Sequence, residues 1–380
     1  MTVHGWVAEG FEGVRDEFEA VVAAEPAEPG AQLAAYLDGR RVVDLWSDER
    51  SGGDALTGVF SVTKGAAHLV VALLVQRGVL DLDREVASYW PEFAAEGKGS
   101  VTLRQLLSHQ AGAIGVDGGF TLAELADDRV VAARLAPHRP YWEPGTAYGY
   151  HGLVIGALTG EVVRRVTGRS LQQEYEELVR APYGLDLYLG LPDELEERFW
   201  PVQPAAAGPE TGADPEPPVP KDSLLAVAFN THADEPTDLV AYANHRPLRA
   251  LGPASAGGVA NARAVAGLYA AAATGLDGRE PLLTAATVAE FSRLHTPGVD
   301  LLFGQSDMFG LGFERMRTSY PFLGDTAFGH SGAAGSQAFA DPVTGVAYGY
   351  VRRRFWAGGG AAPENARLAA AVISAATGTR

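Results

Sequence analysis

The sequence predicts an α+β fold in which a sheet domain built from both ends of the chain carries an inserted helical domain. Two observations predict it. Apolar segments with strand character lie near both ends, and the middle reads as a run of short helices joined by Gly- and Pro-marked breaks. The 380 residues suffice for one large or two ordinary domains. The expected boundaries are 1–80 with 251–380 for the sheet domain, and 81–250 for the helical insertion.

Taken in order, Glu9 to Ala23 places Phe11, Val14, Phe18, Val21 and Val22 near helical spacing, the pattern of a surface helix with one buried face. Gln32–Leu37 and Arg41–Trp46 flank Asp38-Gly39, a dipeptide suited to a tight turn at positive φ, and so form a hairpin. From Gly65 to Val75 almost every residue is apolar, which predicts a helix buried on all sides. Val101–Leu107, Leu122–Leu135, Leu153–Val166 and Leu171–Val179 read as the helices of the middle region. Between Pro201 and Pro220, seven prolines with Glu210, Asp214 and Glu216 predict an exposed loop. Helical pattern returns at Ala262–Thr274, paired strands are expected over Ala327–Ala340 and Val346–Arg353, and Glu364–Ala376 closes the chain as a helix. No internal repeat is visible.

Composition removes several classes of function. The formal net charge is −17 with no basic tract, so nucleic acid and anionic membranes are repelled. Cysteine is absent, which excludes disulfides, thiolate nucleophiles and Cys-ligated metals. The nine histidines are dispersed without metal-ligand spacing, and phosphate-loop, dinucleotide and H-E-x-x-H motifs are missing, so no cofactor and no metal are expected. An acidic, amphipathic N-terminal stretch and the lack of an apolar run of about 18 residues predict a soluble, cytoplasmic protein.

The most informative tetrad is Ser61-Val62-Thr63-Lys64, which opens the buried helix. Three residues apart at a helix start, the hydroxyl and the amine share a face. Serine needs an adjacent base to become nucleophilic, and a desolvated lysine can be neutral where arginine cannot. With only three lysines and 15 serines, S-x-x-K is expected roughly 0.12 times by chance. A second candidate is the loop Pro144-Gly145-Thr146-Ala147-Tyr148-Gly149-Tyr150-His151, where Tyr148 beside a cationic Lys64 could act as the base for Ser61. Whether Lys64 is instead the neutral base stays open at this level. The third is Gly329-His330-Ser331-Gly332-Ala333, whose glycines let substrate lie against the backbone and whose Ala333 amide could join that of Ser61 in an oxyanion hole. His330 is expected to face substrate. The G-x-S-x-G elbow is missed there because the fifth position is Ala333.

Together these pieces resemble the serine β-lactamase and penicillin-binding protein superfamily, and within it most of all the family VIII carboxylesterases related to class C β-lactamases. The phrases that carry the resemblance are Val59-Phe60-Ser61-Val62-Thr63-Lys64-Gly65, Leu106-Leu107-Ser108-His109-Gln110-Ala111-Gly112, Glu143-Pro144-Gly145-Thr146 and Phe328-Gly329-His330-Ser331-Gly332. The resemblance implies a β-lactamase/transpeptidase-like α+β fold, with an antiparallel sheet flanked by helices, an all-helical domain and a site between them. It implies Ser61 as acylated nucleophile, Lys64 and Tyr148 as proton handlers, Ser61 and Ala333 as oxyanion hole, and Tyr150, His330, Ser331 and Gly332 as substrate contacts. Two departures stand out. The tyrosine motif usually reads Y-x-N, and Tyr150 stands at its third position; the usual K-T-G is His330-Ser331-Gly332. Both weaken recognition of a β-lactam carboxylate. The expected activity is therefore hydrolysis of small carboxylic esters with short or medium acyl groups through an acyl-serine. The alternatives are acyl transfer, weak β-lactamase or D-amino-acid peptidase activity on small amide substrates, or an acylated sensor without turnover.

Overall fold

A computed structural model describes residues 2–25, 30–48, 51–206, 219–296 and 298–378. Its strands are β1 (His4–Val7), β2 (Ala31–Leu37), β3 (Arg40–Trp46), β4 (Thr57–Gly58), β5 (Leu187–Tyr188), β6 (Val259–Ala260), β7 (Glu314–Arg315), β8 (Phe328–Ser331), β9 (Gln337–Asp341) and β10 (Val346–Arg352). Seven of them form one sheet in the order β1-β3-β2-β10-β9-β8-β7, and every neighbouring pair is antiparallel. The remaining three make a small sheet, β4-β6-β5, which lacks any pattern in the sequence because its strands are two residues long.

The β2–β3 hairpin turns on Asp38 (φ 48°) and Gly39 (φ 77°), the doubly positive geometry that Asp-Gly favours. Both faces of the central strands are covered, so β2, β9 and β10 are buried along nearly their whole length rather than alternating. On one face Leu33, Ala35, Val43, Leu45, Phe339, Tyr348 and Tyr350 meet helix α1 (Glu12–Ala24) and the C-terminal helix Glu364–Gly378. The opposite face presents Ala34, Ala338, Ala340 and Ala347 to the helix Ala262–Ala273 and to α2 (Thr63–Gln76). Small residues there let the helix approach closely. A Cβ on Gly349 would lie 2.7 Å from the Ala266 nitrogen.

Helix α2 is buried on all sides from Thr63 to Leu74, which is why its sequence shows no polar face. Its apolar cluster continues without interruption into the helices of the middle region.

Three expectations about elements change. Leu122–Leu135 is two helices, Leu122–Leu125 and Asp128–Leu135, because Asp127 caps the second with its own side chain on the Arg129 amide. Leu171–Val179 is helical only to Tyr175 before a wider π turn over Glu176–Arg180. Ala327–Ala340 is not one strand. A turn interrupts it, closed by the Gly332 amide donating to the Ser336 carbonyl and the Gly335 amide to the Gly332 carbonyl. Most of the proline-rich segment expected over Pro201–Pro220 lies outside the described residues, with Pro201–Ala206 running beside Arg353 and Phe355.

Helix Ile155–Thr167 packs its first turn onto the loop at Ala254 and Ser255, where the Gly156 amide donates to Ser255 Oγ at 2.7 Å. A Cβ at Gly156 would stand 2.3 Å from the backbone of both Ala254 and Ser255. Gly156→Ala is therefore expected to lower unfolding free energy by about 1–3 kcal/mol, read from the midpoint of urea denaturation.

Candidate active site

Ser61 occupies a single 3₁₀ turn, Phe60–Val62, that leads directly into α2. Phe60, immediately before it, has φ +49°, a left-handed backbone that a bulky residue adopts only when its surroundings hold it there. The hold is visible. Thr63 Oγ1 donates to the Phe60 carbonyl, the Gly258 amide donates to Thr63 Oγ1 at 2.9 Å, and the Val59 amide donates to the Gly258 carbonyl at 3.0 Å.

Lys64 is fully buried one helical turn on, with Nζ 3.0 Å from Ser61 Oγ. Its other partners are two backbone carbonyls, Gly152 and Ser255, each at 2.8 Å. Carbonyls can only accept, so they claim two N–H groups. The third position faces Ser61 and carries either an N–H or, in the neutral amine, the lone pair. Burial favours the neutral form and brings the Lys64 pKa down to about 7, against a smaller opposing pull from the Glu314 carboxylate.

The second partner of Ser61 is Tyr150, whose hydroxyl donates to Ser61 Oγ at 2.8 Å. Its ring stacks on Phe309 (5.5 Å, 2° between planes) and meets His109 edge-on at 5.2 Å. Burial drives its pKa upward, so the phenol stays protonated and is a donor.

Tyr148 does not reach Ser61, contrary to expectation. Its hydroxyl is directed to the carbonyls of Gly298 (2.9 Å) and Gln305 (3.2 Å), and it anchors the 298–305 loop instead. The two tyrosines are separated by the path of the backbone. The Gly149 amide donates to the His109 carbonyl, and the His151 amide to His109 Nδ1 at 3.2 Å, so His109, itself at φ +62°, fixes the segment between them. The Tyr150 amide donates to Asp300 at 3.0 Å. The tyrosine motif therefore reads Tyr150-His151-Gly152, and where Y-x-N carries a carboxamide this chain has Gly152, whose carbonyl holds Lys64.

His330 does not face the cavity either. It is 1% exposed, its Nδ1 lies 2.8 Å from the Ser331 carbonyl, and its ring sits 6.0 Å from that of Tyr150. Gly332 backs onto Val59, where a Cβ would meet the Val59 carbonyl at 2.4 Å, and it takes no part in the cavity wall. Ser331 and Ala333 on either side of Gly332 do line it, together with Ser61 and Tyr150.

The cavity encloses about 310 Å³; Phe229, Phe303, Phe309, Met308, Leu239 and Phe355 form its apolar walls, and Gln305 and Glu314 also line it. A larger groove of about 640 Å³ lies among Trp90, Val130 and Arg164, but it contains no hydroxyl nucleophile. Sequence reasoning missed three residues at the site. Asp300 and Glu314 belong to no motif and arrive through loop packing and the Glu314–Gly329 strand register; His109 lies within a recognised phrase but carried no assigned role.

The Beta-lactamase family pattern matches residues 17–373. The chain is 35% identical over 347 residues to the esterase/beta-lactamase LipL of Mycobacterium tuberculosis, covering 86% of this chain and 77% of that one. Among solved structures it is similar to EstA from Arthrobacter nitroguajacolicus Rue61a, with TM-score 0.91, 43% identity and full coverage of both chains. It is also similar to a family VIII carboxylesterase, with TM-score 0.87 and 35% identity over 99% of this chain and all of the other. A serine hydroxyl meeting a buried amine and a phenol, together with this breadth of similarity, leads to one conclusion: the chain belongs to the beta-lactamase family.

Proposed function

We propose that the protein is a serine hydrolase of small carboxylic esters with short or medium acyl groups. The observation that carries this reading is the pair of hydrogen bonds converging on Ser61 Oγ from a buried amine and a protonated phenol, at the end of an apolar cavity. In the reactive state neutral Lys64 takes the Ser61 proton through the lone pair left free by its two carbonyl partners. Ser61 Oγ attacks the ester carbonyl, and the amides of Ser61 and Ala333 receive the oxyanion. Tyr150 donates to the oxygens on which charge develops, and the proton held by Lys64 leaves with the alcohol. Water then attacks the acyl-Ser61 ester by the same route, releasing the acid. Tyr150 replaces Tyr148 in the proton-handling pair, and Ser331 is the substrate contact kept from the His330-Ser331-Gly332 run.

The names of the similar esterases support the substrate class. The enclosing aromatic walls favour an aliphatic acyl chain over a polar one.

The direct test is steady-state hydrolysis of p-nitrophenyl butyrate. Ser61→Ala is expected to lose turnover entirely, and residual turnover by the purified variant would remove Ser61 as nucleophile. Tyr150→Phe is expected to slow acylation by about 10²-fold or more, whereas Tyr148→Phe, which loses only a loop anchor, is expected to stay within about threefold of the parent. Equal losses in the two variants would contradict the assignment. Because only neutral Lys64 accepts a proton, kcat/KM is expected to rise about tenfold per pH unit below the Lys64 pKa of about 7 and to level off above it. A profile flat across that range would exclude Lys64 as the base.

A further inference from the structure

Glu314 is 9% exposed, lines the cavity beside Ser61, and has no role in the steps above. Ser331 gives its carboxylate two hydrogen bonds, the hydroxyl donating at 2.7 Å and the amide at 3.1 Å. His330 Nδ1 lies 3.2 Å away, with its proton directed to the Ser331 carbonyl. Burial pushes the Glu314 pKa up, and the two Ser331 hydrogen bonds pull against that push. No arginine or lysine stands among the described residues of the cavity wall.

The neighbours sharpen the point. Burial holds His330 neutral, Tyr150 is a neutral phenol, and Lys64 is neutral in the state that can activate Ser61. When the site is ready to react, the charge that remains on the cavity lining is the Glu314 carboxylate. The Ser331 hydroxyl, which could otherwise donate to an incoming anion, is already committed to Glu314.

We propose that Glu314 is a charge selector: the site rejects esters that carry a carboxylate close to the reacting bond and accepts neutral or ammonium-bearing ones. The inference rests on the ester-hydrolase reading and extends it to the substrate's charge. A carboxylate brought beside Glu314 meets a like charge in a low-dielectric wall whose described residues include no arginine or lysine, whereas an ammonium finds a counter-ion. Glu314→Gln removes the charge while keeping an acceptor for Ser331.

The test compares p-nitrophenyl valerate with the mono-p-nitrophenyl ester of glutaric acid and with p-nitrophenyl 4-(trimethylammonio)butyrate at pH 8, each corrected for its enzyme-free release. The intact enzyme is expected to prefer valerate over the glutarate monoester by at least about tenfold in kcat/KM, and to process the ammonium ester more readily than the glutarate. In Glu314→Gln the glutarate-to-valerate ratio is expected to rise about tenfold, with the ammonium ester losing ground. A second pair, the butyryl esters of 3-hydroxybenzoic acid and of 3-methylphenol, moves the charge to the alcohol half.

Equal rates for charged and neutral members in both halves of the substrate would overturn the selector, and this is decided on the intact enzyme even if the variant fails to fold. An unchanged ratio in a folded variant would also overturn it. Matched fluorophosphonates ending in carboxylate or methyl give the same ratio as rates of Ser61 labelling by intact mass. Selective labelling without ester turnover would therefore refute the hydrolase reading while supporting the selector, and a Ser61 that takes up neither probe ends both.

Discussion

The enclosure of Lys64 governs the arrangement of everything around it. An amine with no contact to water cannot keep its ordinary proton affinity, and its hydrogen-bonding positions must all be filled by protein. Two are filled by carbonyls from segments far apart in the chain, Gly152 and Ser255, and the third by Ser61. Each of those segments is fixed in turn. Gly152 belongs to the loop organised by His109, and Ser255 is held by the Gly156 amide while the buried carboxylate of Asp128 receives the neighbouring Ala254 amide. The Ser61 hydroxyl, on the turn that leads into α2, thus depends on contacts made nearly 200 residues away.

Enclosure also sets the electrostatic character of the site. His109, His151 and His330 are buried around Tyr150 and are held neutral by desolvation, so they contribute packing and directed hydrogen bonds rather than charge. The phenylalanine walls keep the dielectric low on the substrate side. In such surroundings the strength of a hydrogen bond to a developing oxyanion increases, and so does the effect of a single fixed carboxylate on what can enter. The same burial that lowers the proton affinity of Lys64 makes Glu314 influential.

Much of this was legible in the residues. The Asp38-Gly39 turn is a local requirement of backbone angles, and the all-apolar α2 follows from its burial on every side. Ser61 and Lys64 lie one helical turn apart, so their meeting is a consequence of helix geometry alone. The choice between Tyr148 and Tyr150 was not legible, because both lie on the same irregular loop and their spacing fixes neither direction. It is decided by the contacts of Gly149, Tyr150 and His151 with His109 and Asp300. His330 was misplaced for a related reason: a strand end can present a residue to a cavity or to the core, and here pairing with Ala338 turns it inward while Ser331 and Ala333 reach the wall.

By itself, then, the sequence determined the hairpin, the buried helix and the pairing of Ser61 with its amine, along with the absence of thiols, since each depends on neighbours within a few residues or on composition. Tertiary structure alone decided which tyrosine meets Ser61, that two carbonyls leave Lys64 one hydrogen-bonding position facing it, and that a carboxylate lies in the cavity wall. Those outcomes require strand register and loop packing to bring Gly152, Ser255, Asp300 and Glu314 together, and no spacing along the chain encodes a distance between segments that meet only on folding.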